Sequence, residues 1–313
     1  MASFTEQLKQ AARTAGADLV GIASLDRFDE LPAEHHPASI FPEAQAMVVL
    51  ARRITRGTLR PVEEGTNWQT YELFGYHWLD TEFLALTTFE TAEWLEDRGW
   101  EACCLFPFPP EAWPQGVPVR EGQPAPNVYV DMDLAAVAAG LGEIGWCRVL
   151  LTPQFGPLQR VQAILTDAPL EPDAPFQGEV CTRCQVCAVV CPLRAIDGEN
   201  EEIIRVAGRS FTVAAIDWGL CRRCPNGAYP NRYHSSGRPD RIAALCVRSC
   251  LAMLDAAGKL AARFSQPFRR RDYWALDALG RRHHPAVTWD EIKGTGCADP
   301  AGFRSAEEEG EGQ

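Results

Sequence analysis

With 313 residues, 46% of them hydrophobic, the chain is long enough for one large or two moderate domains around a substantial core. Its formal net charge of −12 argues against general nucleic-acid binding, which relies on neutralising phosphates, and no apolar run reaches the roughly 18 residues of a membrane span. The first residues, MASFTEQLKQAARTAGADLVGIA, lack the basic-then-apolar pattern of a secretory signal, so twelve cysteines predict a reducing, cytoplasmic setting and metal ligation rather than disulfides.

In chain order, residues 4–15 read as an amphipathic helix with Phe4, Leu8, Ala11, Ala12 and Ala15 on one side, ended by Gly16. Residues 18–23 and 46–51 read as strands, with a Pro-rich loop over 32–42 between them. Residues 69–97 read as one or two helices stopped by Gly99, and 100–105 as a strand. That strand carries Cys103 and Cys104, which have no C-x2-C partner and are expected to be buried thiols. Seven prolines in 107–126 predict a long irregular segment, either a lid or a surface wrap. Residues 128–132 read as a short strand, 133–139 as a helix, and 147–152 and 159–166 as strands around the turn QFGP.

Gly140, Gly142 and Gly145 spell G-x-G-x-x-G, with Asp167 following at a suitable distance. A dinucleotide fingerprint needs a strand directly before its first glycine, and LAAVAA is a poor strand. The alternative is a tight turn in which glycine lets the backbone pass close to another element or to a cofactor.

Residues 167–180 form a Pro-rich connector into CTRCQVCAVVCP, residues 181–192. This C-x2-C-x2-C-x3-C-P spacing is the bacterial ferredoxin run, whose fourth cysteine serves a second cluster. The spacing predicts a second cysteine set, and Cys221, Cys224, Cys246 and Cys250 supply one. The expected pairing is Cys181, Cys184, Cys187 and Cys250 for one [4Fe–4S] cluster, and Cys191, Cys221, Cys224 and Cys246 for the other. Zinc also uses C-x2-C pairs but does not call for this run. Residues 202–217 read as an inserted hairpin, 225–245 as a loop ending in a helix, and 251–263 as further helix. Arg263, Arg269, Arg270, Arg271, Arg281 and Arg282 read as a solvated basic face. The acidic tail SAEEEGEGQ is expected to be disordered.

AGLGEIG, ILTDAPLEPDAPF and the first cysteine run together resemble the epoxyqueuosine reductases and their relatives, the reductive dehalogenases. The resemblance runs from about Val128 to Ile196, with weaker similarity at DLVGIA and AMVVLA. It implies an α+β chain: a nitroreductase-like α/β domain for cofactor and substrate over 1–175, a two-[4Fe–4S] bacterial ferredoxin-like domain over 176–262, and a C-terminal tail over 263–313. It implies cobalamin in the first domain, held near Gly140, Gly142, Gly145, Trp146 and Cys147. It also implies electrons passing from an external ferredoxin- or flavodoxin-type donor through both clusters to cobalt, and Asp131 as proton donor. Asp133, adjoining the apolar run, is expected to cap the helix and leave Asp131 free.

Three features depart from the family. Trp146 and Cys147 stand where a lysine is common, a long segment interrupts the second cysteine set, and 63 residues follow Cys250, too few for the extension that grips tRNA. A small-molecule substrate is therefore expected, with tRNA unlikely. The resulting reading is a cytoplasmic iron–sulfur reductase. The alternatives are a non-catalytic ferredoxin-like electron carrier, against which a first domain of about 175 residues argues, and a flavin-dependent iron–sulfur reductase.

Overall fold

The computed structural model describes residues 2–106, 116–231, 238–284 and 287–294. Residues 107–115 and the acidic tail therefore lie outside the described residues.

The first layer is an antiparallel sheet in the order β1-β2-β6-β3. Its strands are β1 (Leu19–Ser24), β2 (Ala46–Arg53), β3 (Ala102–Leu105) and β6 (Gln159–Thr166). The short strands β4 (Glu143–Ile144) and β5 (Leu150–Leu151) pair separately. The run AMVVLA in β2 is apolar at every position because both faces of the sheet are covered. Val48 and Leu50 face α1 (Phe4–Thr14) and α4 (Ala85–Glu96), packing with Leu8, Ala12 and Leu95. Met47, Val49 and Ala51 face the alanine-rich α5 (Met132–Ala138). Small side chains bring α5 close to β1. A Cβ on Gly21 would lie 2.5 Å from the Ala139 carbonyl oxygen, so glycine is required there.

Two short helices, α2 (Arg60–Glu63) and α3 (Gln69–Tyr71), precede α4. The stretch read as one or two helices over 69–97 is interrupted by wide π-type turns at Glu72–His77 and Leu79–Leu84, and these bring Asp80 inside, 3.6 Å from Arg160.

Beyond the connector come α6 (Val186–Val189), the hairpin β7 (Ile196–Val206) and β8 (Arg209–Ile216), α7 (Trp218–Cys221) and α8 (Leu245–Ala256). Ala207 and Gly208 both have positive φ, as a two-residue hairpin turn requires. One apolar core joins Ile54, Leu59, Val62 and Tyr71 to Val186, Leu245 and Leu251, so the segment before α4 packs into the cysteine-bearing part.

Several expectations are corrected. Residues 128–131 form no strand, and helix α5 begins directly at Met132. The strand expected over 147–152 shrinks to β5, because Gly145–Arg148 forms a turn. The helix expected over 251–263 ends at Ala256. Cys103 is half-buried and Cys104 exposed, since β3 is an edge strand. Arg269, read as part of a solvated face, is buried and ion-paired with Glu63, as is Arg248.

Glu63 is thus a buried carboxylate between two guanidiniums. Burial opposes its ionisation, but Arg248 and Arg269 outweigh that and hold its carboxyl below the usual range. Replacing Glu63 with glutamine strands two buried cations and should cost ~3–5 kcal/mol, seen as a lower urea midpoint at unchanged slope. The wild-type contribution is fully present above the unfolded-chain value of about 4.3 and is lost as pH falls through the lower folded value. A variant with an unchanged midpoint would contradict the assignment.

Candidate functional site

The first cysteine loop is wound tightly by Arg183 and Gln185, both at positive φ (54° and 56°) without being glycine, a strained conformation that persists only where surroundings enforce it. Glu143 on β4 anchors its start: Oε1 accepts N–H bonds from Val180 (2.9 Å) and Cys181 (2.6 Å). Cys187 lies on α6, and Cys191 follows it. Helix α8 carries Cys246 and Cys250 one turn apart, hence on one side.

The two α8 cysteines reach different groups of thiols. Cys246 interacts with Cys191, Cys147 and Cys221, and Cys224 also interacts with Cys191, so Cys147 lies within reach of both groups. Cys250 interacts with Cys181 and Cys184, and Cys187 with Cys250 and Cys184. A fifth sulfur joins this second grouping: Cys147, in hydrogen-bond contact with the thiols of Cys187 and Cys250. Those contacts push Cys147 well below the usual thiol range and push Cys187 and Cys250 up. Burial pushes Cys181 and Cys221 up to about 11. Such thiols ionise when a metal takes the proton's place.

Polar donors surround the sulfurs. Trp146 N–H donates to Cys181 Sγ (3.3 Å), Ala195 N–H to Cys191 Sγ (3.3 Å) and Asn226 Nδ2 to Cys224 Sγ (3.6 Å). Two buried guanidinium nitrogens, Arg241 Nη1 and Arg248 Nη2, have no acceptor, and both arginines interact electrostatically with cysteines. These features fit a thiolate-held cluster, which is anionic and accepts hydrogen bonds at sulfur. Among the described residues no three His, Cys, Asp or Glu converge as around one metal ion. A cubane does not need that convergence, because each thiolate binds its own iron.

The glycines of the 140–145 turn meet protein. A Cβ on Gly140 would lie 2.3 Å from the Ala174 carbonyl oxygen, one on Gly142 2.1 Å from that of Leu151, and one on Gly145 2.6 Å from the Leu151 side chain. Trp146 is buried, and its Nε1 donates to Glu201 (2.7 Å). Asp131, not Asp133, caps α5: its Oδ1 accepts from the N–H groups of Asp133 (3.0 Å) and Leu134 (3.3 Å). The extended backbone of Asp131 places it at the N-cap, and Asp133 already lies within the first turn.

A cavity of about 90 Å³ lies nearby, lined among others by Asp80, Asp133, Arg148, Arg160, Trp218 and Arg241. Arg160 is held by Asp240 (3.1 Å), the Tyr71 hydroxyl (2.9 Å) and the Gly75 carbonyl (2.9 Å). Glu143, Asn226, Arg241 and Arg248 escaped the sequence reading. None belongs to a recognisable spacing, although an arginine five residues before a cysteine pair in an acidic chain was a usable hint.

No protein-family model matches the chain. It is 44% identical over 69 residues to a tetrachloroethene reductive dehalogenase of Desulfitobacterium hafniense, covering 21% of this chain and 12% of that protein's length. It is 33% identical over 66 residues to an epoxyqueuosine reductase of Listeria monocytogenes, covering 21% and 17%. These matches span less than a fifth of either relative. A solved epoxyqueuosine reductase from Streptococcus thermophilus aligns at 16% identity and a TM-score of 0.46 over 66% of this chain and 56% of that one. A solved reductive dehalogenase aligns at 19% and 0.48 over 90% and 39%.

The thiol grouping yields a ligand prediction. Cys191→Ser should remove about four of about eight irons and spare the site of Cys181, Cys184 and Cys187, read by iron analysis together with Cys181→Ser and the double variant. Cys191→Ser and Cys181→Ser emptying the same site would contradict the grouping.

Proposed function

We propose that this epoxyqueuosine reductase/reductive dehalogenase-like chain is an iron–sulfur oxidoreductase with two [4Fe–4S] clusters, reducing a small molecule at the Asp133–Arg160–Arg241 cavity. The observation that carries the reading is the meeting of nine cysteines in two groups, eight of them in or against one apolar core, with guanidinium N–H groups beside them that lack acceptors among the described residues. When bound, the clusters supply electrons one at a time. Cys181, Cys184, Cys187 and Cys250 would hold one, and Cys191, Cys221, Cys224 and Cys246 the other. An external ferredoxin- or flavodoxin-type protein is the proposed donor.

A corrin ring, which the family resemblance implies, is far larger than a partly open cavity of about 90 Å³, itself below the roughly 300–1,000 Å³ usual for organic-ligand sites. The lining residues of this cavity as they stand do not form a corrin site. The relatives' names point to carbon–halogen and epoxide carbon–oxygen bonds. Replacing halogen by hydrogen consumes two electrons and one proton and releases halide, whereas reducing an epoxide to an alkene consumes two electrons and two protons and releases water. Arg148, Arg160 and Arg241 give the cavity cationic edges suited to a departing anion. With a net charge of −12, the substrate is proposed to be small rather than tRNA. No helix among the described residues is long and apolar enough to cross a membrane.

Anaerobic protein supplied with reduced methyl viologen should turn over at least one member of a panel of chlorinated alkenes and small epoxides. Full iron content with no turnover of any would favour the non-catalytic electron carrier.

Asp131 is the proposed proton donor, while Asp133 lines the cavity. Asparagine caps helices as well as aspartate, so Asp131→Asn preserves the cap while removing the acid. It should leave the melting temperature and iron content unchanged and lower turnover by roughly 10²–10⁴-fold. Normal turnover in Asp131→Asn with loss in Asp133→Asn would move the role to Asp133.

A further inference from the structure

Arg241 is a buried cation without a counter-ion. Its residue is 4% exposed, and among the described residues no carboxylate pairs with it; the neighbouring Asp240 is engaged by Arg160. Nη2 donates to the carbonyl oxygens of Cys147 (2.7 Å) and Arg148 (2.9 Å). The guanidinium stacks 5.1 Å from the ring centre of Trp218, which opens the helix ending in Cys221. Nη1 is buried and, among the described residues, donates to nothing.

An uncompensated buried charge is costly, and so is a buried N–H group with no acceptor. The electrostatic neighbours of Arg241 are sulfurs, and they come from both groups: Cys246 and Cys221 from one, Cys147 and Cys187 from the other. A [4Fe–4S] core on four thiolates is an anion that gains one more negative charge on reduction, and its potential responds to nearby charge and to hydrogen bonds at sulfur. The position, the missing counter-ion and the vacant donor thus have one common explanation.

We propose that Arg241 is the counter-ion shared by both clusters, its Nη1–H donating to cluster sulfur and its charge holding both reduction potentials up. This rests on the two-cluster reading above. Arg241 acts through the clusters and is a positioning residue. The competing role is a mechanical tie between its segment and the Cys147–Arg148 turn.

The test compares Arg241→Gln, which keeps hydrogen-bond donors but removes the charge, with Arg241→Lys, which keeps the charge but loses the planar fork. Both are made in the full chain, assayed for iron, and titrated potentiometrically with dithionite while the reduced clusters are followed by electron paramagnetic resonance. Arg241→Gln should make both clusters at least tenfold harder to reduce, a shift of about 59 mV for one electron. Arg241→Lys should stay within threefold of the parent. Loss of iron from the glutamine variant alone would also support the counter-ion role. Unchanged potentials in Arg241→Gln, a shift confined to one cluster, equal shifts in both variants, or iron lost from both would overturn it. A parent protein lacking iron would instead overturn the two-cluster reading itself.

Discussion

Charge and sulfur buried together in one apolar core are the constraint on which the rest of this structure depends. A thiol group can lie in an apolar core at little cost, but a guanidinium cannot unless something anionic faces it. Arg248 and Arg269 resolve this through Glu63, and Arg160 does so through Asp240. Among the described residues Arg241 finds two carbonyl groups, the Trp218 ring and a set of sulfurs, but no carboxylate. The region is therefore suited to an anion that the sulfurs would carry, and the proposed cluster ligation would supply it.

The same cations connect the layers. Arg160 projects from the sheet strand β6 and binds Asp240, one residue before Arg241. Arg248, on α8 between Cys246 and Cys250, is fixed to Glu63 at the end of α2. Arg56 and Arg60 donate to the carbonyl oxygens of Gln266 and Phe268. Elements near residue 60 and elements near residue 250 are thus held in register by polar contacts within the core, and the cysteine side of α8 is oriented by an ion pair as well as by packing. Precise placement matters more for a redox site than for a fold alone, because electron transfer and cluster assembly both depend on where each sulfur stands.

Much of this was legible in the sequence, for identifiable reasons. The strand AMVVLA and the amphipathic first helix declare themselves through apolar periodicity, and the cysteine runs through spacing that few other chemistries require. What escaped were features made by tertiary proximity. Cys147 lies 34 residues before Cys181 in sequence and reaches Cys187 and Cys250 only because the turn at Gly145–Arg148 folds onto the cysteine loop, where Trp146 bonds Cys181. Arg269 sits in a run of basic residues that looks solvated, and only the buried Glu63 far upstream shows otherwise. The cap at Asp131 instead of Asp133 is a two-residue shift in a helix boundary, the least determined feature of any sequence reading. The glycine turn illustrates the converse: its spacing mimics a phosphate-binding fingerprint, yet Gly140 and Gly142 accommodate the chain's own carbonyl groups and Gly145 the Leu151 side chain.

The reading of this site turns on whether these thiols hold iron. The most direct measurement is the metal and acid-labile sulfide content of the full chain purified without oxygen. About eight irons and an equal amount of sulfide per chain are expected. Stoichiometric zinc with neither iron nor sulfide would contradict it.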